Sequence, residues 1–145
     1  LIIFACLLIC FSCDDSIPDY TTISYGTSFG MCEGYCIKTM TLEDSKVQFE
    51  KASNNVSTDY PDTFCDDDFF QFKELKTAIN SDDFYSIAET IGCPDCVDGG
   101  AEWMELSSSK SSHRVTFELG KHPDAIESYI ETIRFYYQRM EATCP

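Results

Sequence analysis

The chain has 145 residues, with 10 Lys and Arg against 25 Asp and Glu, giving a formal charge of −15. That length is enough to bury a core within one domain, and 43% apolar with 14% aromatic residues excludes a disordered chain. Because acids run along the whole chain, phosphate backbones and anionic membrane surfaces are repelled; the compatible partners are basic protein faces, cationic peptides or divalent cations, not nucleic acid.

The first twelve residues, LIIFACLLICFS, carry no charge. A membrane-crossing helix needs about 20 apolar residues, so 1–12 reads instead as the remnant of a secretion signal. CDDS follows, a Cys after the small Ser12 and before two acids. This resembles a bacterial lipoprotein signal, with Cys10 standing where Leu is usual. The resemblance implies that Cys13 is the lipidated first mature residue, with 13–18 an acidic tether and the lipid as the membrane contact. Acids just after that Cys also resemble the surface-export signal of Bacteroidota lipoproteins. The implied location is the bacterial cell envelope, as an outer-membrane lipoprotein facing the periplasm or the surface.

The folded part is expected over 19–145 as a single α+β domain. DYTTISYGTSF (19–29), rich in Tyr, Thr and Ile, reads as a strand. Gly30 and Gly34 break it, and YCIKTMTLE (35–43) alternates, with Cys36, Met40 and Leu42 on one face. DSK turns into VQFEKA, completing a three-stranded meander. SNNVSTDYPDTFCDD (53–67) has loop composition, and its NVS triplet reads as turn chemistry. An Asp in 66–68 is expected to cap a helix whose stripe is Phe69, Phe72, Leu75 and Ile79. Ser81 is expected to cap a second short helix burying Phe84, Ile87, Ala88 and Ile91 and ending at Gly92. AEWMEL (101–106) and HRVTFEL (113–119) read as a hairpin, with Val115, Phe117 and Leu119 on its packed face. Pro123 opens the longest helix, with Ile126, Tyr129, Ile130, Ile133, Tyr137 and Met140 as its apolar side. Strands and helices are grouped, which predicts an antiparallel sheet with the helices packed on one face.

Of nine cysteines, Cys6 and Cys10 fall in the signal and Cys13 is the expected lipid carrier, which leaves six: Cys32, Cys36, Cys65, Cys93, Cys96 and Cys144. Three chemistries fit them. Cys32, Cys36, Cys93 and Cys96 could form a tetrahedral four-thiolate zinc site from two turns. CPDC could exchange thiols with disulfides, although Asp95 and Asp98 disfavour the thiolate and no helix starts after the motif. The reading adopted is structural crosslinking, since an even number of cysteines in an oxidising compartment is the arithmetic of disulfides. Fifteen connectivities are open; one plausible pattern joins Cys65 to Cys144 and pairs the other four locally or across the two Gly-flanked turns.

Other chemistry is sparse. His113 and His122 read as solvated. CVDGGAEW has too few alternating oxygen ligands for a calcium loop and reads as a turn entering a strand. No catalytic constellation stands out, and no catalytic residue or cofactor is assigned. The segments SYGTSFGMCEGYC, IGCPDCVDGGAEW and HRVTFELG resemble an uncharacterised family of small bacterial proteins, many from Bacteroidota, over roughly 22–140. That resemblance carries no activity; it implies that Cys32, Cys36, Cys93 and Cys96 are the family's own cysteines, and Cys65 and Cys144 a separate bridge. A looser similarity of element order is to small bacterial metalloprotease inhibitors of the emfourin type. The expectation is therefore a non-catalytic binding or inhibitory module for a protein or basic peptide. Its contact surface is expected at the Gly-rich cysteine turns, near Glu33, Tyr35, Asp95 and Trp103.

Overall fold

A computed structural model describes residues 20–54, 60–68 and 72–144. The signal, Cys13 and the tether, the NVS triplet and Phe69 lie outside the described residues. Seven strands form one sheet: β1 (Thr22–Ser28), β2 (Ile37–Glu43), β3 (Lys46–Ala52), β4 (Thr63–Asp68), β5 (Thr90–Ile91), β6 (Ala101–Ser107) and β7 (Ser112–Glu118). Their order across the sheet is β4-β3-β2-β1-β6-β7-β5, antiparallel except for the β5–β7 pair. Two short helices, α1 (Phe72–Ala78) and α2 (Ser81–Tyr85), come between β4 and β5; a 3-10 turn at Asp124–Ile126 leads into α3 (Glu127–Thr143). This is the α+β architecture that the grouping of elements implies.

Period-two alternation decides what each strand buries. One face sends Ile23 and Tyr25 from β1, Met40 and Leu42 from β2, Val47 and Phe49 from β3, Met104 and Leu106 from β6, and Val115 and Phe117 from β7 into a common core. Over that face, α3 lays Tyr129, Ile130, Ile133, Tyr137 and Met140, while Phe72, Leu75 and Phe84 come from the short helices. The other face is largely polar, with Ser24, Thr41, Gln48, Glu105 and Arg114. Trp103 belongs to it and is nonetheless buried, because its indole packs against Gly26 of β1. A Cβ on Gly26 would come 2.5 Å from the Trp103 ring and 2.7 Å from the Lys38 carbonyl oxygen, so only glycine fits there. The Arg114 guanidinium covers the ring, 3.9 Å from its centroid, and its Nε donates to Glu105 Oε2 at 2.7 Å.

Several local expectations are corrected. The last part of the expected 53–67 loop is β4, an edge strand whose Asp66, Asp67 and Asp68 are paired with β3; the expected cap contact falls on 69–71, outside the described residues. Pairing overrides composition there: Lys46 stands opposite Asp68 and Phe49 opposite Cys65. The cap of α2 is Asn80, whose Oδ1 accepts from the Asp82 and Asp83 amides; Ser81 is already helical. That helix stops at Tyr85, where the Ser86 amide and hydroxyl both bond back to the preceding turn. Ala88 is consequently exposed, and Ile91 joins β7 as part of β5. Leu119 lies beyond the last pair of β7 and is exposed rather than packed. His113, expected to be solvated, is half-buried; its Nε2 is 2.9 Å from the Ile87 carbonyl oxygen and its ring lies edge-on to Phe84.

Candidate functional site

The six cysteines form three bridges: Cys32–Cys36, Cys65–Cys144 and Cys93–Cys96, with Cα separations of 5.7, 5.9 and 5.5 Å. The middle one ties edge strand β4 to the end of α3. There Lys51 Nζ also donates to the Cys144 carbonyl at 2.6 Å, and Arg139 pairs with Asp67. The other two each close a loop at the end of the sheet. The four sulfurs considered for zinc are thus divided between two local bonds. Among the described residues, no group of three or more His, Cys, Asp or Glu side chains is arranged to hold a metal.

Those two loops are joined to each other. The Asp95 carboxylate accepts from the Gly30 amide at 3.1 and 3.3 Å and from the Gly100 amide at 3.2 Å, spanning both loops. Phe29 rests on Gly100, whose φ of +77° and lack of a Cβ permit the contact; a Cβ would meet the ring at 2.5 Å. Asn54 Nδ2 donates to the Phe29 carbonyl at 2.7 Å and to the Gly30 carbonyl at 3.1 Å, which ties the end of β3 to the same place. Tyr35 donates its hydroxyl to the Pro61 carbonyl and meets Tyr60 edge-on, with centroids 5.7 Å apart. The result is a braced tip. Two large apolar side chains project from it: Met31, beside Gly30, is 78% exposed, and Val97, two residues from Asp95, is 99% exposed. Exposed Glu33 and Asp98 flank them.

Glu33, Tyr35 and Asp95 therefore belong to one assembly, although Asp95 acts as its brace. Trp103 does not join them at the surface, being buried within the sheet under Arg114. Met31 and Val97 were not singled out by sequence reasoning; the available signal was an apolar residue bordering each close cysteine pair, Met31 just before Cys32 and Val97 just after Cys96.

A second polar cluster lies between sheet and helix. Glu102, 5% exposed, accepts from the Tyr25 hydroxyl, from Arg134 Nε at 3.1 Å and Nη2 at 2.6 Å, and from the Gly120 amide at 3.0 Å. Arg134 also donates to Glu131 at 2.8 Å and to the Lys121 carbonyl at 3.2 Å. Tyr137 lies beside it, 2.7 Å from Thr27 Oγ1 and edge-on to Tyr25. Burial pushes both tyrosine hydroxyls above their ordinary range, with the Glu102 bond adding to the rise at Tyr25. A cleft of about 330 Å³ opens over this cluster, lined also by Leu119, Gln138 and Glu141. A larger depression of about 510 Å³ runs along α1 past Lys73, Glu74, Thr77 and Ala78, with no convergent buried polar group.

The cluster was legible only in hindsight. Glu102 falls on the inward register with Met104 and Leu106, and Arg134 sits four residues after Ile130 inside the apolar stripe. A charge at each of two inward positions signals a buried pair. Fold and site together define a disulfide-crosslinked α+β domain with a rigid tip. Neither a family model nor a curated protein matches the chain.

Proposed function

We propose that the protein is an exported, lipid-anchored binding or inhibitory module, without catalysis of its own, that grips a protein partner with its braced tip. The observation that carries this reading is the bracing of two disulfide-closed loops by one carboxylate, Asp95, while Met31 and Val97 project into solvent. Loops fixed before contact lose little conformational freedom on binding, and exposed apolar anchors are what a partner's pocket desolvates. The flanking Glu33 and Asp98, within a chain of charge −15, suit a partner with a basic rim around that pocket. Export and lipid on Cys13 agree with three closed bridges, which persist where the surroundings are oxidising.

The test places a photo-crosslinking residue at position 31 or 97 of the native envelope protein, with position 77 on α1 as control. A discrete adduct from the tip positions, absent at 77, with the position-31 adduct lost in Val97→Asp, is the expected result. Equal labelling from all three positions, or turnover of a small substrate by the purified protein, defeats the proposal. Intact mass of the same preparation reports lipid on Cys13.

A further inference from the structure

We infer that the Cys93–Cys96 disulfide is a modification site for dithiols: it is reduced before the other two bridges, and its reduction uncouples the two tip loops while the sheet and helices stay folded. This goes beyond the proposed contact role and holds whether or not a partner binds there.

Access separates the three bridges first. Cys93 and Cys96 are both exposed; in the Cys32–Cys36 pair only Cys32 is, with Cys36 at 2%, and in the Cys65–Cys144 pair neither is, with Cys144 at 5%. A thiolate can reach either sulfur of the Cys93–Cys96 pair without any opening of the fold, and access governs exchange.

Backbone conformation separates them next. Asp95, Val97 and Asp98 take φ values of 57°, 51° and 59°. Aspartate tolerates that left-handed region, but a β-branched residue there is a genuine outlier that persists only where its surroundings impose it. Val97 has no surroundings to impose it, since its side chain is in solvent. Val97 follows directly on the closed ring: the Cys96 amide bonds the Cys93 carbonyl at 3.2 Å inside the ring, and the Gly99 amide bonds the Cys96 carbonyl at 3.1 Å across Val97. The sister loop places Gly34, free to take its φ of 92°, at its own left-handed position. Opening the Cys93–Cys96 ring therefore lets Val97 relax to negative φ. Asp95, two residues away, then loses the position from which it accepts from Gly30 and Gly100.

The chemistry balances as an ordinary exchange. A dithiol's thiolate attacks Sγ of Cys93 or Cys96, forming a mixed disulfide and expelling the other sulfur, which takes a proton. The dithiol's second thiol then closes on the first as a cyclic disulfide. Two electrons and two protons pass to the protein, leaving two Cys thiols.

The experiment titrates the full oxidised protein with dithiothreitol, alkylates the free thiols, maps them by peptide mass, and follows the Gly30 and Gly100 amides by NMR. Cys93 and Cys96 are expected to label at dithiol concentrations more than about tenfold below those that label Cys65 and Cys144, whose exposure needs the fold to open. The two glycine amides should shift in step, with far-ultraviolet dichroism unchanged. The double variant Cys93→Ser/Cys96→Ser should show the same amide shifts without dithiol. Val97→Asn, better suited to the left-handed region, should need more dithiol than the native chain. Labelling of either other bridge first, or glycine amides that stay fixed both on reduction and in the double variant, overturns the inference.

Discussion

Replacing both Cys65 and Cys144 by Ala tests what the long bridge contributes. These residues stand 79 apart in sequence. In the chain-entropy description, a crosslink stabilises by removing freedom from the unfolded chain, and a loop of that length gives about 4.5 kcal/mol. The same relation gives only about 1.9 kcal/mol for Cys32–Cys36 and about 1.6 kcal/mol for Cys93–Cys96, whose separations are 4 and 3. Alanine is the right replacement because Cys144 is buried, and a serine hydroxyl there would add a desolvation cost of its own. The folded contacts around the bridge survive the change: Lys51 still reaches the Cys144-position carbonyl, and Arg139 still faces Asp67. The loss is therefore expected to come from the unfolded state. Since small domains have net stabilities of about 5–15 kcal/mol, the variant should be near the edge of folding, with its melting temperature lower by roughly 10–20 °C. Urea unfolding followed by dichroism, with the two short-bridge double variants in parallel, measures all three. If a short-bridge variant loses as much as the long-bridge one, or if the long-bridge variant loses under about 2 kcal/mol, the loop-length reasoning fails.

Glu102→Gln leaves the Arg134 charge without its buried partner and should cost about 3 kcal/mol in urea unfolding; pairing it with Arg134→Met should recover most of that loss. Gly26→Ala forces a Cβ into the Trp103 ring and the Lys38 carbonyl, with an expected cost of about 1–3 kcal/mol and a changed tryptophan emission. Tyr20, Tyr25, Tyr129 and Tyr137 all have hydroxyls raised above their ordinary range, first by burial. Folding thus favours their protonated forms, so this stability is complete below the unfolded tyrosine value near 10 and is lost as pH climbs beyond it, by about 1.4 kcal/mol per pH unit for each residue. Tyrosinate absorbance should rise together with the loss of dichroism in an alkaline titration; free titration of all tyrosines in the folded protein would contradict this.

The α+β class and most of the core could be read from the sequence because periodicity records burial directly. Met40 with Leu42, Val115 with Phe117, and the stripe from Ile126 to Met140 are buried as their spacing requires. Strand β4 was illegible for the opposite reason. TFCDDD has no inward apolar run, and it is held by partners elsewhere in the chain: Lys46, Phe49 and, through its sulfur, Cys144. Strand β5 is two residues long and exists because β7 offers an edge, with the Thr116 amide on the Glu89 carbonyl at 2.8 Å. The contact between the two cysteine turns was hidden as well. Gly30 and Asp95 are 65 residues apart, and no local pattern encodes a hydrogen bond from a backbone amide to a distant carboxylate.

The buried ion pair bears on whether the cleft beside it could do chemistry. A general base must have a lone pair aimed at the proton it removes. Both Glu102 oxygens are already engaged: Oε1 by Tyr25 and Arg134, Oε2 by Arg134 and the Gly120 amide. Arg134 is likewise divided among Glu102, Glu131 and the Lys121 carbonyl. Taking up a substrate in the cleft would mean breaking one of these bonds in a site that is mostly out of water, where an orphaned charge costs several kcal/mol. What the cluster does without substrate is pin α3 to β6 and, through Gly120, fix the turn after β7. The tip has the reverse design. Asp95, Asn54 and Tyr35 hold its loops in place, while Met31 and Val97, with Glu33 and Asp98 beside them, face outward. On the reading proposed above, that arrangement suits contact with another surface.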